Sequence, residues 1–122
     1  MADGTKYDGS FKQNKFHGRG TCRWPDKRYY DGYWVDGLME DDNALFQWPE
    51  GITYRGGYKK GLKHGKGTLE WNKKDTRSED NWVNGLREGK GKIFWANGTM
   101  SKVTWMNGEM IREEEGLEVE QD

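Results

Sequence analysis

The feature that leaves this chain the fewest choices is an internal repeat. Phe11, Trp34, Tyr58, Trp82 and Trp105 follow one another at intervals of 23 or 24 residues. Trp24, Trp48, Trp71 and Trp95 keep the same interval in a second phase, and Asn14, Gly37, Gly61, Gly85 and Gly108 keep it in a third. Three registers in step mark tandem copies of one supersecondary unit, each too small to bury its own apolar face.

The unit is clearest over residues 54 to 71. Tyr54, Gly56 and Tyr58 alternate with Arg55 and Gly57, a Lys60-Gly61 turn follows, and Gly67, Leu69 and Trp71 alternate with Thr68 and Glu70. A period of two is that of strands, so the unit is a β-hairpin and the chain is all-β. Tyr7, Gly9 and Phe11 open the first copy, which turns at Gln13-Asn14 and returns through Gly18, Gly20, Cys22 and Trp24 before Pro25-Asp26 ends it. The second copy keeps Tyr30, Gly32, Trp34 and an Asp36-Gly37 turn. Its return strand carries one extra residue, and Asp42 and Ala44 stand where the third copy has Gly65 and Gly67, which calls for a bulge or a loop insertion. The third copy closes through a longer loop, Asn72 to Asp75. The fourth has Ser78 and Asp80 in place of Tyr54 and Gly56, so its first strand is expected to be the weakest. The fifth retains Ser101, Val103, Trp105 and the Asn107-Gly108 turn, and then the pattern stops.

Composition decides what such hairpins can build. Only 32% of the chain is hydrophobic while 34% is charged, and the mean hydropathy is −1.21, poor material for a closed two-layer core. The 7 Trp, 6 Tyr and 4 Phe each bury roughly 150–250 Å², so a few per unit replace many aliphatics. The expected architecture is an elongated single-layer antiparallel meander over residues 7–108, after a flexible segment 1–6. The acidic segment 109–122 is read as a tail or cap: a closing strand, a short helix or a solvated extension. A Gly between two aromatics on one face leaves a gap over the backbone that a ring from the adjacent strand can cover, so aromatic and Gly should appear and vanish together.

A net charge of −1 gives no general pull toward nucleic acid or acidic membranes. The single Cys22 sits at an apolar phase and reads as a reduced, part-buried thiol, which favours the cytoplasm. The start MADGTKYDGS lacks an apolar h-region and no run reaches the roughly 20 apolar residues of a spanning helix, so neither a secretory signal nor a transmembrane segment is expected. His17 and His64 hold equivalent places before Gly18 and Gly65 without a second ligand at metal spacing, and Glu40, Asp41 and Asp42 lack a calcium-loop pattern, so no metal or other cofactor is expected. No nucleophile elbow or phosphate-cradling loop is present, and the glycines are accounted for by hairpins, so the chain reads as a non-enzyme.

Two sets of residues carry a binding expectation. The aromatic row Tyr7, Phe11, Trp24, Tyr30, Trp34, Trp48, Tyr54, Tyr58, Trp71, Trp82, Trp95 and Trp105 is the candidate protein-binding surface. A sheet one strand thick has no second layer to cover it, and packing of the rings on one another accounts for about half of them. A helix or extended segment of a partner is the expected occupant, self-association included. Lys59, Lys60, Lys63, Lys66, Arg87, Lys90 and Lys92 form a candidate anionic-lipid set, for which a solvated hairpin tip is the favoured explanation because Glu70, Glu79, Asp80 and Glu88 dilute the field.

The pattern Y-x-G-x-(W/F/Y)-x-x-(G/N)-x-x-x-G-x-G-x-x-x-W resembles the MORN repeat, the membrane occupation and recognition nexus unit, over residues 7 to 108. The resemblance implies consecutive hairpins paired into one twisted meander with an aromatic-lined groove. It further implies a scaffold or adaptor, with a cytoskeletal or ciliary (axonemal) setting foremost. A peripheral membrane tether and a targeting subunit of an enzyme are the other roles it implies.

Overall fold

Five two-residue turns set the hairpins, at Gln13-Asn14, Asp36-Gly37, Lys60-Gly61, Asn84-Gly85 and Asn107-Gly108, and in each both residues have positive φ. This is the primed turn, whose twist matches that of the strands it joins. The computed structural model describes residues 3–71 and 75–119; of the expected loop Asn72 to Asp75, only Asp75 falls among them.

Among the described residues the hairpins continue into one antiparallel sheet of twelve strands in chain order. Its strands are β1 (Lys6–Lys12), β2 (Lys15–Arg23), β3 (Tyr29–Val35), β4 (Leu38–Met39), β5 (Asp41–Trp48), β6 (Ile52–Lys59), β7 (Leu62–Trp71), β8 (Thr76–Val83), β9 (Leu86–Arg87), β10 (Gly89–Phe94), β11 (Thr99–Met106) and β12 (Glu109–Glu118). β4 and β9 are short starts of return strands, paired to β3 and β8. The meander is all-β, with no helix among the described residues, and so none long and apolar enough to cross a membrane. The acidic segment supplies β12, which closes the sheet against β11.

Register puts the repeat phases on one face. Tyr7 pairs with Cys22, Cys22 with Tyr30, Tyr30 with Phe46 and Phe46 with Tyr54, and the series continues through Leu69, Ser78, Ile93 and Ser101. The extra residue of the second unit is absorbed where the β5–β6 register shifts between Asp41 and Ala44. There the Asp41 carboxylate accepts the Tyr33 and Asn43 amides at 3.0 and 2.9 Å, satisfying donors that a bulge withdraws from the ladder.

A second set of bonds ties the units together along the turn edge. The Gly37, Gly61, Gly85 and Gly108 amides donate to the Phe16, Met39, Lys63 and Arg87 carbonyls of the preceding unit at 2.8–2.9 Å. Beside them the amides of Asp36, Lys60, Asn84 and Asn107 donate to His17 Nδ1, Glu40 Oε1, His64 Nδ1 and Glu88 Oε2. The two histidines are therefore copied turn residues with an acceptor role that glutamate fills in the alternate units.

Glycine in the strands serves the rings. An alanine Cβ at Gly20 would lie 2.5 Å from Tyr7 Cζ, and one at Gly67 would lie 2.5 Å from Tyr54 Cζ. Both rings cross a bare backbone on the adjacent strand, whereas Tyr30 in the second unit has Ala44 at that place, and all three hydroxyls donate to the carbonyl three residues on: Tyr7 to Ser10, Tyr30 to Tyr33, Tyr54 to Gly57, at 2.8–2.9 Å.

Candidate partner-binding face

All twelve residues of the expected aromatic row lie on the sheet face fixed by this register, but they differ in what they offer to solvent. Tyr30, Trp34, Tyr54, Tyr58, Trp82 and Trp105 are buried; Tyr7, Trp24, Trp48 and Trp71 are half-buried; Phe11 and Trp95 are 60% and 41% exposed. Tyr7 and the buried rings form a relay with a constant step. Tyr7 meets Trp34 at 5.8 Å, Tyr30 meets Tyr58 at 5.7 Å and Tyr54 meets Trp82 at 5.8 Å, each nearly edge-on, the geometry that sets a positive ring edge against a negative face. Burial pushes the hydroxyls of Tyr30, Tyr54 and Tyr58 well above the ordinary phenol range. The accessible tryptophans run along the opposite end of the strands, where Trp24, Trp48 and Trp95 each lead into a loop. Lys27, Gly51 and Gly98, all with positive φ, donate to the Trp24, Trp48 and Trp95 carbonyls at 2.9–3.2 Å.

Two further rings belong to this face. Phe16 stacks on Tyr7 at 3.8 Å, and buried Phe46 lies 4.4 Å from Trp48 and 5.6 Å from Trp24. Strand parity identifies both: Phe46 shares the phase of Cys22, Leu69 and Ile93, and Phe16 that of Met39, Lys63 and Arg87.

The relay changes character after Tyr54, because Ser78 replaces the next tyrosine. The buried Asp80 carboxylate takes over the ring's place above the following glycine, its Oδ1 lying where a Cβ on Gly91 would be. Asp80 accepts from Ser78 Oγ, from Arg87 Nε at 3.1 Å and from Trp105 Nε1 at 2.9 Å. The Arg87 guanidinium in turn bridges Trp82 and Trp105, 5.1 and 4.5 Å from their centroids. A cation between two indoles thus continues the contact that a phenol makes in the earlier units. Next to it Trp71, Thr76, Ser78, Arg87, Ile93 and Trp95 line a pocket of about 270 Å³.

The seven candidate basic residues do not act as one stripe. Lys63 and Arg87 belong to the aromatic face: Lys63 Nζ lies 4.9 Å from Trp48, 5.4 Å from Tyr54 and 5.3 Å from Trp82. Lys66, Lys90 and Lys92 point to the other face, and Lys59 and Lys60 lie at the turn edge. On that other face Lys92 pairs with Lys102, with Arg112 one strand further on, opposite Thr104. Lys102 and Arg112 join the basic residues of this face only through the pairing of β10, β11 and β12. Among the described residues no group of His, Cys, Asp and Glu side chains is arranged to hold a metal.

A family model for the MORN repeat matches residues 7–27, 30–40, 54–76 and 81–100. The second match stops at the bulge and the fourth starts after Asp80, the two places where the hairpin departs from its pattern. Comparison with curated proteins gives no match. With the matched segments covering more than half of the sequence and the tyrosine-over-glycine hairpins repeated along one meander, the chain belongs to the MORN-repeat family.

Proposed function

We propose that this protein is a non-enzymatic scaffold or adaptor that seats a helix or extended segment of a partner protein on its aromatic face. The observation that carries the reading is the accessible row Trp24, Trp48, Trp71 and Trp95, with Tyr7 and Phe11 at one end, on a sheet whose buried rings already satisfy one another. Trp and Tyr on a surface supply large contact area at low entropic cost and are enriched among residues that dominate binding energy. MORN-repeat proteins are in general scaffold-like rather than catalytic. Analogy within the family further supports a cytoplasmic cytoskeletal or ciliary setting, which imaging of the tagged chain against axonemal and cortical markers tests.

The direct experiment replaces Trp71 and Trp95 together by Ala. Neither ring belongs to the buried relay, so the sheet-like circular dichroism spectrum should persist while co-purification of the partner is lost. Retention of the partner by the folded double variant overturns the reading. A second reading, a peripheral membrane tether, is favoured by Lys66, Lys90, Lys92, Lys102 and Arg112 on the other face, where Lys92 and Lys102 stand directly opposite each other. It requires sedimentation with anionic vesicles that fades as salt rises; no sedimentation at low salt removes it.

A further inference from the structure

One repeat position governs the polarity of the aromatic face. It is the first inward residue after each turn, and it reads Phe16, Met39, Lys63, Arg87 and Met110. The face is therefore apolar over the first two units and cationic over the next two. The two cations differ in how they are answered. Arg87 has the buried Asp80 carboxylate at 3.1 Å, whereas Lys63 forms no ion pair with any described residue and lies against the faces of Trp48, Tyr54 and Trp82. Burial and the neighbouring Arg87 both disfavour its charged form, lowering its pKa. The neighbouring Trp82 keeps a buried indole N–H without an acceptor among the described residues, although the equivalent Trp34 and Trp105 donate to Gly20 O and Asp80 Oδ1. A half-buried cation with no counter-charge among the described residues thus lies in the trough against three ring faces, a placement that costs stability unless an anion completes it.

We infer that the partner segment seated on this face carries a carboxylate side chain over Lys63 and apolar side chains over Met39 and Phe16. The inference rests on the docking reading above and adds to it the chemistry and polarity of the occupant. Met39 and Lys63 hold the same place in successive units, two strand spacings or roughly 10 Å apart. A helical occupant spans that distance in about seven residues and an extended one in about three. Lys63 is thereby a specificity-determining residue: it favours an acidic segment and penalises a basic one.

The test is a selection of binders from a random peptide library displayed on phage, run in parallel against the intact chain and against Lys63→Met. Met is what the second unit carries at this position, so the variant keeps the repeat's own packing, and circular dichroism checks it. The expected outcome is enrichment of an Asp or Glu at fixed spacing from apolar residues with the natural chain and loss of that enrichment with Lys63→Met. In a synthetic copy of an enriched peptide, changing the acid to its amide should weaken binding to the natural chain roughly tenfold, and to Lys63→Met less than twofold. Because the amide change is made in the peptide, it can be read on the unaltered protein alone. Enriched peptides that are apolar, or that bind both proteins equally with or without the acid, overturn the inference and leave the docking reading standing. If no peptide is enriched at all, the docking reading fails and this inference falls with it.

Discussion

Replacing Gly67 by Ala isolates the contact on which the repeat depends. Gly67 lies under the Tyr54 ring, with an added Cβ 2.5 Å from Cζ and closer still to the hydroxyl, so the ring has to leave its site, in a strand whose pairing with β8 lacks the register shift by which the second unit keeps Tyr30 buried beside Ala44. Tyr54 has 0% exposure, donates to Gly57 O at 2.9 Å, and meets Tyr58 and Trp82 edge-on at 5.3 and 5.8 Å. Loss of the buried hydrogen bond costs about 1 kcal/mol, and the two ring contacts roughly 0.5–1.5 kcal/mol each. Ala regains about 0.5–1 kcal/mol over Gly in a strand. The net expectation is destabilisation by about 2–3 kcal/mol, a fall in Tm on the order of 10 °C, read by urea and thermal unfolding with tryptophan fluorescence and far-ultraviolet circular dichroism. Gly37→Ala is the contrast: nothing lies within 4 Å of its Cβ, and only its φ of +84° resists the side chain, for a cost of about 1–2 kcal/mol. In a Tyr54→Ala background Gly67→Ala should be neutral or stabilising. A single Gly67→Ala within about 0.5 kcal/mol of the natural chain, or an equal loss with the ring already removed, refutes the ring-over-glycine account.

Asp80→Ala leaves Arg87 half-buried without its carboxylate and removes the acceptor of Trp105 Nε1, so a loss of about 3–5 kcal/mol is expected in calorimetry, with Asp80→Asn costing less. Tyr30, Tyr54 and Tyr58 have raised folded-state pKa values because of burial. The folded chain therefore holds phenolic protons that the unfolded chain releases, and stability is full below the unfolded tyrosine pKa near 10 and falls as the pH climbs above it. Absorbance at the tyrosinate band should show these three ionising only with loss of the sheet spectrum, and early ionisation of all six tyrosines refutes it. Glu88→Ala removes the acceptor of the Asn107 amide at 2.8 Å; amide exchange at Asn107 should accelerate and stability fall by about 1 kcal/mol, with no change at the Asp36 amide.

Much of the fold was legible because its causes are local. Primed turns need residues that accept positive φ, and Asn14, Gly37, Gly61, Gly85 and Gly108 announced them. Parity along each strand placed the rings on one face and also marks Phe16, Phe46, Lys63 and Arg87 as belonging there. Reading Lys63 and Arg87 with Lys66 and Lys90 as one basic stretch overlooked that parity. The Asp80 network was less accessible. That Tyr and Gly had vanished together at Ser78 and Asp80 was visible, but the group that fills the gap includes Trp105, 25 residues away in the chain.

The chain alone therefore determined the hairpin, its period and the face on which the aromatics stand, since each follows from backbone geometry and side-chain size within some twenty residues. Only the tertiary structure decided which rings stay accessible, which cation has a counter-charge and how β12 closes the sheet. Those properties depend on what the neighbouring unit brings alongside, and burial and electrostatics are set by atoms in contact whatever their separation along the sequence.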